Sequence, residues 1–484
     1  MHLPRIVTSD AFVSPEKRDQ PSVINSHMFQ DSFNALPGRL NGVGGSATVH
    51  ALQAQQFGGR SVMVAPSLHL GDDFKKLHLP AVGYSFAGNS ETHHDEWYEQ
   101  QNLQFLVERV MGAHTGRNDV VYAHMPISGQ AGMEFCRSNN NPLVYLGHAW
   151  EILSATFFPD RSIKSPRLAT EYAIVDYLVS RPGRGFIVTN SEWEADAVAE
   201  AYSRIPTIDN LNAFMKATAG VAAMSSKSES LIAKALEDIR LGKTNIATRD
   251  AIRSICVPNP IGIDGSYYSD EYRHEHRTNA RVEFFQNHNM PEDSLVIGGV
   301  GRIHPQKDPF AAVEVFHKAW DLLGRPENVF LLLAGPGDRD NEGQAVGYYE
   351  QLLNFISEKH AEVADYIKVP GRPVDAREIN SLLDVRLCTA KFETWGLSFQ
   401  ESLCMGVPSV ALANPVYEEL YGDSGVVMER NRDKLAEAIV DLLRNQWKRH
   451  QYGKLCGMVG NRYNWENSVE LLSHKLRDRL NFPI

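Results

Sequence analysis

The chain has 484 residues, 43% hydrophobic and 22% charged, which is enough for two or three globular domains with sizeable cores. A formal net charge of −11 argues against a general nucleic-acid binder, whose binding face would be basic. No run approaches the roughly 20 apolar residues of a membrane span. The N-terminal MHLPRIVTSDAF lacks signal-peptide architecture, and Cys136, Cys256, Cys388, Cys404 and Cys456 show no CxxC spacing. The expectation is a cytoplasmic protein without a transmembrane segment, zinc site or disulfide framework.

In chain order, short apolar runs alternate with helical patterns. RIVTS at Arg5 and SVMVAP at Ser61 read as strands, and GVGGSA (Gly42–Ala47) lies between them. GVGGSA fits the G-x-G-x-x-G/A turn of dinucleotide-binding enzymes. That reading requires an apolar strand directly before the turn and an acid about 20 residues on, after the second strand. The preceding DSFNALPGRLN is not such a strand, and SVMVAPS ends without an acid. A nicotinamide- or flavin-dependent oxidoreductase is therefore the weaker reading. Gly44 and Gly45 read as backbone that approaches a ligand closely, with Ser46 capping the helix ATVHALQAQQF.

Further strands are expected at DVVYAH (from Asp119), PLVYLGH (from Pro142) and GFIVTN (from Gly185). The segment at about 206–248, rich in Ala, Ser, Lys and Leu, interrupts this rhythm as a helical insertion or an ordinary helical layer. VPNPIGID (Val257–Asp264) is rich in turn formers. The polar SYYSDEYRHEHRTNARVEF after it is a linker or a first helix, so the domain join is placed between Ile263 and Glu292. A second series follows at LVIGGVG, VFLLLAG, YIKVPG, VRLCTA and PSVAL. Continuous rather than alternating apolar runs are the pattern of parallel strands covered on both faces. The fold class is α/β, with two doubly wound Rossmann-like domains whose ligands lie at strand carboxyl ends, in the cleft between the domains.

Two stretches concentrate chemistry. GGVGRIHPQKDP places Arg302 and Lys307 in the loop after a strand, a fork and a point charge suited to pyrophosphate. KFETWGLSFQESLCMGVPSVAL turns at Gly396 and continues as a helix through Met405. Its two acids, Glu393 and Glu401, would stand about 12 Å apart on one helix, too far for an acid–base pair but suited to the two ends of a long ligand. The amides of Gly396 and Leu397 would open the helix toward a phosphate. Taken singly, each of these is equally a solvated loop or surface helix.

As an ordered set, they resemble the retaining GT-B-fold glycosyltransferases of the family-4-like group, which includes sucrose-phosphate synthases and bacterial nucleotide-sugar glycosyltransferases. G-R-x-x-x-x-K after a strand, then E-x7-E and G-x-P, carry the resemblance. GVGGSATVHALQAQQFGGRSVMV, VVYAHMPISGQ, LVYLGHAW, FIVTNSEWEADAV, VPNPIGID and LLLAGPGD extend it over most of the chain.

The resemblance implies a GT-B fold of two Rossmann-like domains facing an interdomain cleft. Residues 1–270 would be the acceptor-side domain, joined by a crossover helix at about 465–484, and residues 271–464 the donor-binding domain. It further implies that Glu401 holds the ribose hydroxyls and that Glu393 contacts the donor sugar. Arg302 and Lys307 would hold the pyrophosphate, assisted by amides near Thr394, Trp395, Gly396 and Leu397. Gly44 and Gly45 would approach the donor phosphates or the acceptor, while Gly371 and Arg372, in VPGRPV, lie where the base is held. His148 would lie near the donor sugar, and His124, Ser128 and Trp150 toward the acceptor. Catalysis is then expected from His148, Arg302, Lys307 and Glu393.

The implied reaction moves a hexosyl unit, with retention, from a nucleotide diphosphate sugar to a hydroxyl on a sugar, a lipid-linked molecule or a small metabolite. UDP is the foremost nucleotide, and no metal or other cofactor is expected. A pseudo-glycosyltransferase, a phosphorylase-like enzyme and a non-catalytic sugar-nucleotide binder would share much of this site. This sequence departs from the group in CTAKFE ahead of the first glutamate and in Thr394-Trp395-Gly396 after it, where Trp395 either packs or reshapes the sugar pocket. The insertion at about 206–248 is expected to lid the acceptor site or to join copies of the chain in a homo-oligomer. DRD (Asp338–Asp340) and His93-His94 read as loop residues rather than metal ligands.

Overall fold

The computed structural model describes residues 5–8, 25–30, 60–66, 81–85, 120–124, 126–147, 150, 153, 165–204, 248–337, 346–371, 375–422 and 425–480. The chain divides into two units, Met1–Pro260 with Ser468–Ile484, and Ile261–Asn467.

The first unit is built on one eight-stranded sheet. Its strands are β1 (Arg5–Thr8), β2 (Asn25–Gln30), β3 (Arg60–Pro66), β4 (Ala81–Ser85), β5 (Val120–His124), β6 (Leu143–Leu146), β7 (Gly185–Thr189) and β8 (Cys256–Pro258). They lie in the order β1-β4-β3-β2-β5-β6-β7-β8. All neighbours are parallel except β1, which closes the edge antiparallel to β4. From β2 the chain winds outward one way through β3 and β4, and from β5 the other way, which makes β2/β5 the switch point of a doubly wound sheet. β6 and β7 are buried along their whole length, in keeping with their continuous apolar runs.

The described helices of this unit begin with α1 (Pro126–Asn139), α2 (Ser165–Val179), α3 (Glu192–Arg204) and α4 (Arg249–Ile255). The β7–α3 turn shows why SEWE follows a strand. Ser191 Oγ accepts from Glu194 N at 3.0 Å, and the Glu194 carboxylate accepts from Asn190 N at 2.5 Å. This reciprocal cap satisfies backbone donors that the helix start would otherwise leave without partners.

The second unit carries a six-stranded, wholly parallel sheet of β9 (Leu295–Val300), β10 (Val329–Ala334), β11 (Ile367–Gly371), β12 (Val385–Cys388), β13 (Ser409–Leu412) and β14 (Val427–Glu429). The order is β11-β10-β9-β12-β13-β14, a doubly wound sheet with its switch point between β9 and β12. Its helices are α5 (Asp270–Asn287), α6 (Pro309–Leu322), α7 (Gly347–Lys359), α8 (Ala376–Leu382), α9 (Leu397–Cys404), α10 (Pro415–Tyr421), α11 (Arg432–Arg444) and α12 (Gln446–Gly460). One sheet face sends Ile297, Leu331, Val385, Leu387 and Val410 against α6 and α11. The other sends Val296, Phe330 and Leu332 against Phe285 of α5, Ile379 and Leu382 of α8, and Met405.

The polar stretch after VPNPIGID is a helix, not a linker. Ser269 Oγ caps α5 by accepting from Tyr272 N at 3.1 Å. Arg277 and Arg281 of α5 reach Asp384 at 2.7 and 3.1 Å, and Asp384 also accepts from Val296 N at 2.9 Å. Charged side chains thus fasten α5 to the sheet alongside the apolar packing of Phe285. The chain changes unit at Pro260/Ile261, earlier than the boundary near 270 expected from sequence. Ile263 is already bonded into the second unit, donating to Tyr463 O at 3.2 Å and accepting from Trp465 N at 3.1 Å.

The last helix, α13 (Trp465–Leu480), returns the chain to the first unit. Ser468 accepts from Asn259 Nδ2 at 3.2 Å and donates to Pro260 O at 2.7 Å, Lys475 donates to Pro258 O, and Arg479 donates to Ser254 O at 2.6 Å. Among the described residues, no helix is long and apolar enough to cross a membrane. The 206–248 segment lies outside the described residues apart from its final position.

Candidate functional site

The second unit brings three of the expected residues to the carboxyl ends of β9 and β12, on either side of its switch point. The loop after β9 carries Arg302 and Lys307, and the loop after β12 carries Glu393. The two loops are stitched together. Lys391 N donates to Gln306 O at 3.0 Å and Gln306 Nε2 donates to Phe392 O at 3.1 Å. Thr389 Oγ1 donates to Lys307 O at 3.1 Å and to Asp308 O at 2.9 Å. Held in this way, the Lys307 ammonium forms an ion pair and hydrogen bond with Glu393 Oε1. Arg302 is exposed and, among the described residues, has no ion-pair partner.

Glu393 and Glu401 do not share a helix, as the sequence reading had allowed. Gly396 intervenes at φ +85° as the cap of α9, so Glu393 precedes the turn and Glu401 lies within the helix. The turn needs glycine twice over. A left-handed φ disfavours a side chain, and an added Cβ would sit 2.6 Å from Tyr417 Oη. The start of α9, Leu397 included, follows Glu393 after three intervening residues, and the first amides of a helix have no partner within it.

Glu401 is buried, at 4% exposure, and hydrogen-bonded by the Tyr268 hydroxyl. Burial pushes its carboxyl up to about 7; Tyr268, Arg386 and Lys307 pull against that, and Asp375 adds to it. Burial likewise pushes the Tyr268 hydroxyl well up, so it remains a donor. Asp375 caps α8, is held by Arg377 at 2.7 Å, and accepts from Tyr267 Oη at 3.2 Å. The Arg377 guanidinium lies 3.5 Å from the Tyr267 ring centroid. Sequence reasoning missed Tyr267, Tyr268, Asp375, Arg377 and Arg386. The tyrosine doublet in an otherwise polar segment, and an arginine inside the apolar run VRLCTA, were the available signals.

Trp395 packs rather than facing a ligand with its ring. The ring is buried, edge-on to Tyr463 at 5.2 Å, and Nε1 donates to Gln400 Oε1 at 2.7 Å. Gln400 in turn donates to Gly460 O at 3.2 Å and Tyr463 O at 2.5 Å. Trp395→Phe is expected to cost about 1–3 kcal/mol in urea unfolding, by orphaning Gln400 Oε1, and to leave the KM for any donor within about two-fold. A KM rise with unchanged stability would instead place the indole at the ligand.

Trp150 requires a correction. Expected on the acceptor side, it is a core residue at 1% exposure, edge-on to Tyr145 at 5.5 Å and Tyr202 at 5.7 Å. Between β6 and α3, a large aromatic ring serves this layer better inside than at a polar mouth. His124 closes β5 and Ser128 lies in α1, but their side chains are outside the described set. His148, Gly44, Gly45 and Arg372 also lie outside the described residues, as do Asp338–Asp340 and His93-His94. Gly371 ends β11 at φ +86° and accepts from Gly335 N at 2.7 Å. Thr394 is half-buried between Glu393 and the turn. All five cysteines are free and buried. Among the described residues, no group of His, Cys, Asp or Glu is arranged to hold a metal.

Residues 280–455 match the family model described as Glycosyl transferases group 1. Among solved structures, the chain is similar to Anabaena Alr3699/HepE in complex with UDP and glucose (TM-score 0.60, 14% identity, 94% of this chain and 100% of that one). It is similar to the sucrose-phosphate synthase of Thermosynechococcus elongatus (0.61, 15%, 94% and 99%). It is also similar to the α,α-trehalose 6-phosphate synthase of Burkholderia multivorans (0.61, 11%, 94% and 98%). No curated protein sequence matches it. The fold is GT-B, with two Rossmann-like domains, and the resemblance read from the motifs is borne out.

Proposed function

We propose that this protein is a retaining hexosyltransferase that uses a nucleotide diphosphate sugar, with UDP the foremost nucleotide, and a hydroxyl acceptor, without a metal or other cofactor. The observation that carries the reading is the pairing of Lys307 with buried Glu393 beside the amide-bearing start of α9, with buried Glu401 one helix turn further on. Support for the donor class comes from the group 1 family match and from relatives solved with UDP and UDP-glucose.

In this reading Glu401 accepts hydrogen bonds from the ribose diol. Lys307 has three donors, so it can keep Glu393 and still reach a phosphate oxygen. Arg302 and the first amides of α9 complete the phosphate grip. Breaking the glycosidic bond leaves oxocarbenium character on the sugar and negative charge on the departing phosphate. Cations and amides that are already oriented favour that charge distribution without reorganising. Glu393 orients the sugar through its hydroxyls and is not assigned as a nucleophile. The phosphate takes the acceptor proton on the face it leaves, which gives retention. Glycosidase logic, with two acids flanking one bond, is a different arrangement. His148 is proposed near the donor sugar, and His124 and Ser128 toward the acceptor, from the motif resemblance alone. Cytoplasmic location is proposed on the same sequence grounds as before.

The test is a thermal-shift panel of UDP, GDP, ADP and dTDP sugars, since a ligand that binds the folded state raises its melting temperature. One nucleotide class should stand out, and Glu401→Ala should abolish that shift. A shift that survives the substitution would remove Glu401 from the ribose.

A further inference from the structure

Asp308 stands directly after Lys307 and directly before α6, and its backbone is left-handed, at φ +46° and ψ +59°. Among the described residues, the other non-glycine residues with positive φ are Asn140, Asn289 and Arg325. Those are exposed and lie just past helix ends, where a left-handed residue is common. Asp308 instead precedes its helix and is 4% exposed. A residue with a side chain stays in this region only where its surroundings over-determine it, and such positions gather at functional sites.

The bonds that hold Asp308 come from three elements. Thr389, buried just after β12, has one hydroxyl hydrogen and shares it between Lys307 O at 3.1 Å and Asp308 O at 2.9 Å. Those two carbonyls bracket the φ and ψ of Asp308, so one hydroxyl clamps the left-handed link from both sides. Asp308 O also accepts from Ala312 N at 3.3 Å, and Oδ1 caps α6 by accepting from Ala311 N at 3.4 Å. Oδ2 faces Lys391, from the loop after β12, and Arg432, at the start of α11, each at 3.3 Å. Ahead of the link, Lys307 N donates to His304 O at 2.9 Å and Asp308 N to Pro305 O at 3.3 Å, two successive turns. With a right-handed residue at 308 these turns would run on into α6. The left-handed link breaks that run and leaves Lys307 on the loop, where it meets Glu393.

We infer that Asp308 is a positioning residue: its left-handed backbone, clamped by the Thr389 hydroxyl, aims Lys307 at Glu393. Thr389 and Glu393 both follow β12, so the clamp ties the root of the lysine to the strand end that carries its partner. That Lys307 also grips a phosphate rests on the function proposed above; that Asp308 aims it does not.

The test needs no ligand. The coupling between Lys307 and Glu393 is read in urea unfolding from a cycle of Lys307→Met, Glu393→Gln and the double variant. The cycle is run in the wild-type chain and repeated with Thr389→Val, Thr389→Ser and Asp308→Asn. Thr389→Val removes the clamp and should shrink the coupling, taken as a ratio of unfolding constants, about three-fold or more. Thr389→Ser keeps the hydroxyl and should keep the coupling. Asparagine tolerates the left-handed region and can cap α6, but brings no charge to Lys391 and Arg432. Asp308→Asn should therefore lose stability and keep the coupling. If Thr389→Val does not fold because its methyl presses on the two carbonyls, Thr389→Ala takes its place in the same cycle. A coupling that survives loss of the hydroxyl, or that falls with stability in Asp308→Asn as well, would reduce these contacts to packing and overturn the inference. UDP-glucose titrated into the same proteins then separates the two claims. Lys307→Met binding as tightly as wild type would remove the phosphate grip and leave the aiming of Lys307 at Glu393 standing.

Discussion

Glu401→Gln is expected to make the ligand-free protein more stable at alkaline pH while weakening its hold on a nucleotide. The carboxyl's ordinary value of 4.5 is raised to about 7 in the fold, chiefly by burial. Between those values the folded chain binds more protons than the unfolded chain, so stability falls as pH rises. The stabilising contribution of the protonated form is fully present below about 4.5 and is lost as pH passes through 7. The interval from 4.5 to 7, at about 1.4 kcal/mol per unit, corresponds to about 3 kcal/mol. Glutamine has no charge to desolvate and can still accept from Tyr268. Wild type and variant should therefore unfold alike near pH 4.5 and differ by about 3 kcal/mol at pH 8–9. A difference independent of pH would show that ionisation is not the cause. Such an acid survives in a protein because its charge has a use that stability does not measure.

Lys307→Met is expected to lower kcat/KM for donor by about 10²–10³, the usual cost of removing one oriented donor from a developing charge. It should also destabilise the fold. Glu393 is 5% exposed and would be left as a buried charge without its partner. Lys307 itself is about a quarter exposed, so the loss should fall below the 3–5 kcal/mol of a fully buried pair, at about 2 kcal/mol. The decisive comparison is the double variant Lys307→Met with Glu393→Gln. Its melting temperature should recover most of the loss, because no buried charge remains, while its activity should not recover at all. Parallel recovery of both would mean that Lys307 acts on the reaction only through folding.

Strands with continuous apolar runs were legible in the sequence, which is why every expected strand of the second unit is present. β2 was not legible, although it is the first strand of its sheet's switch point. NSHMFQ mixes polar and apolar residues, and its place is set by pairing with β3 and β5, whose partners lie far away in the chain. β4, β8 and β14 are too short or too mixed to stand out. The polar α5 was ambiguous because its arginines serve as fasteners to Asp384, a partner more than 100 residues on.

The site follows the same division. Arg302, Lys307, Glu393 and Glu401 were readable because their spacing follows strand ends. Tyr268 and Arg386 were not, since one lies just before α5 and the other inside β12, far from Glu401 in the chain. Trp150 was misplaced because the sequence gives an aromatic's position in the chain but not the direction of its ring.

The division of the chain into units also bears on its synthesis. The second unit is one uninterrupted stretch, Ile261–Asn467, whereas the first is closed by residues that follow it. The bonds from Ser468, Lys475 and Arg479 back to Pro260, Pro258 and Ser254 cannot form until the last helix has been made. Translation order and completion order are therefore inverted. The unit translated first is finished last, and its β8 edge awaits its cover while the whole of the other unit emerges from the ribosome.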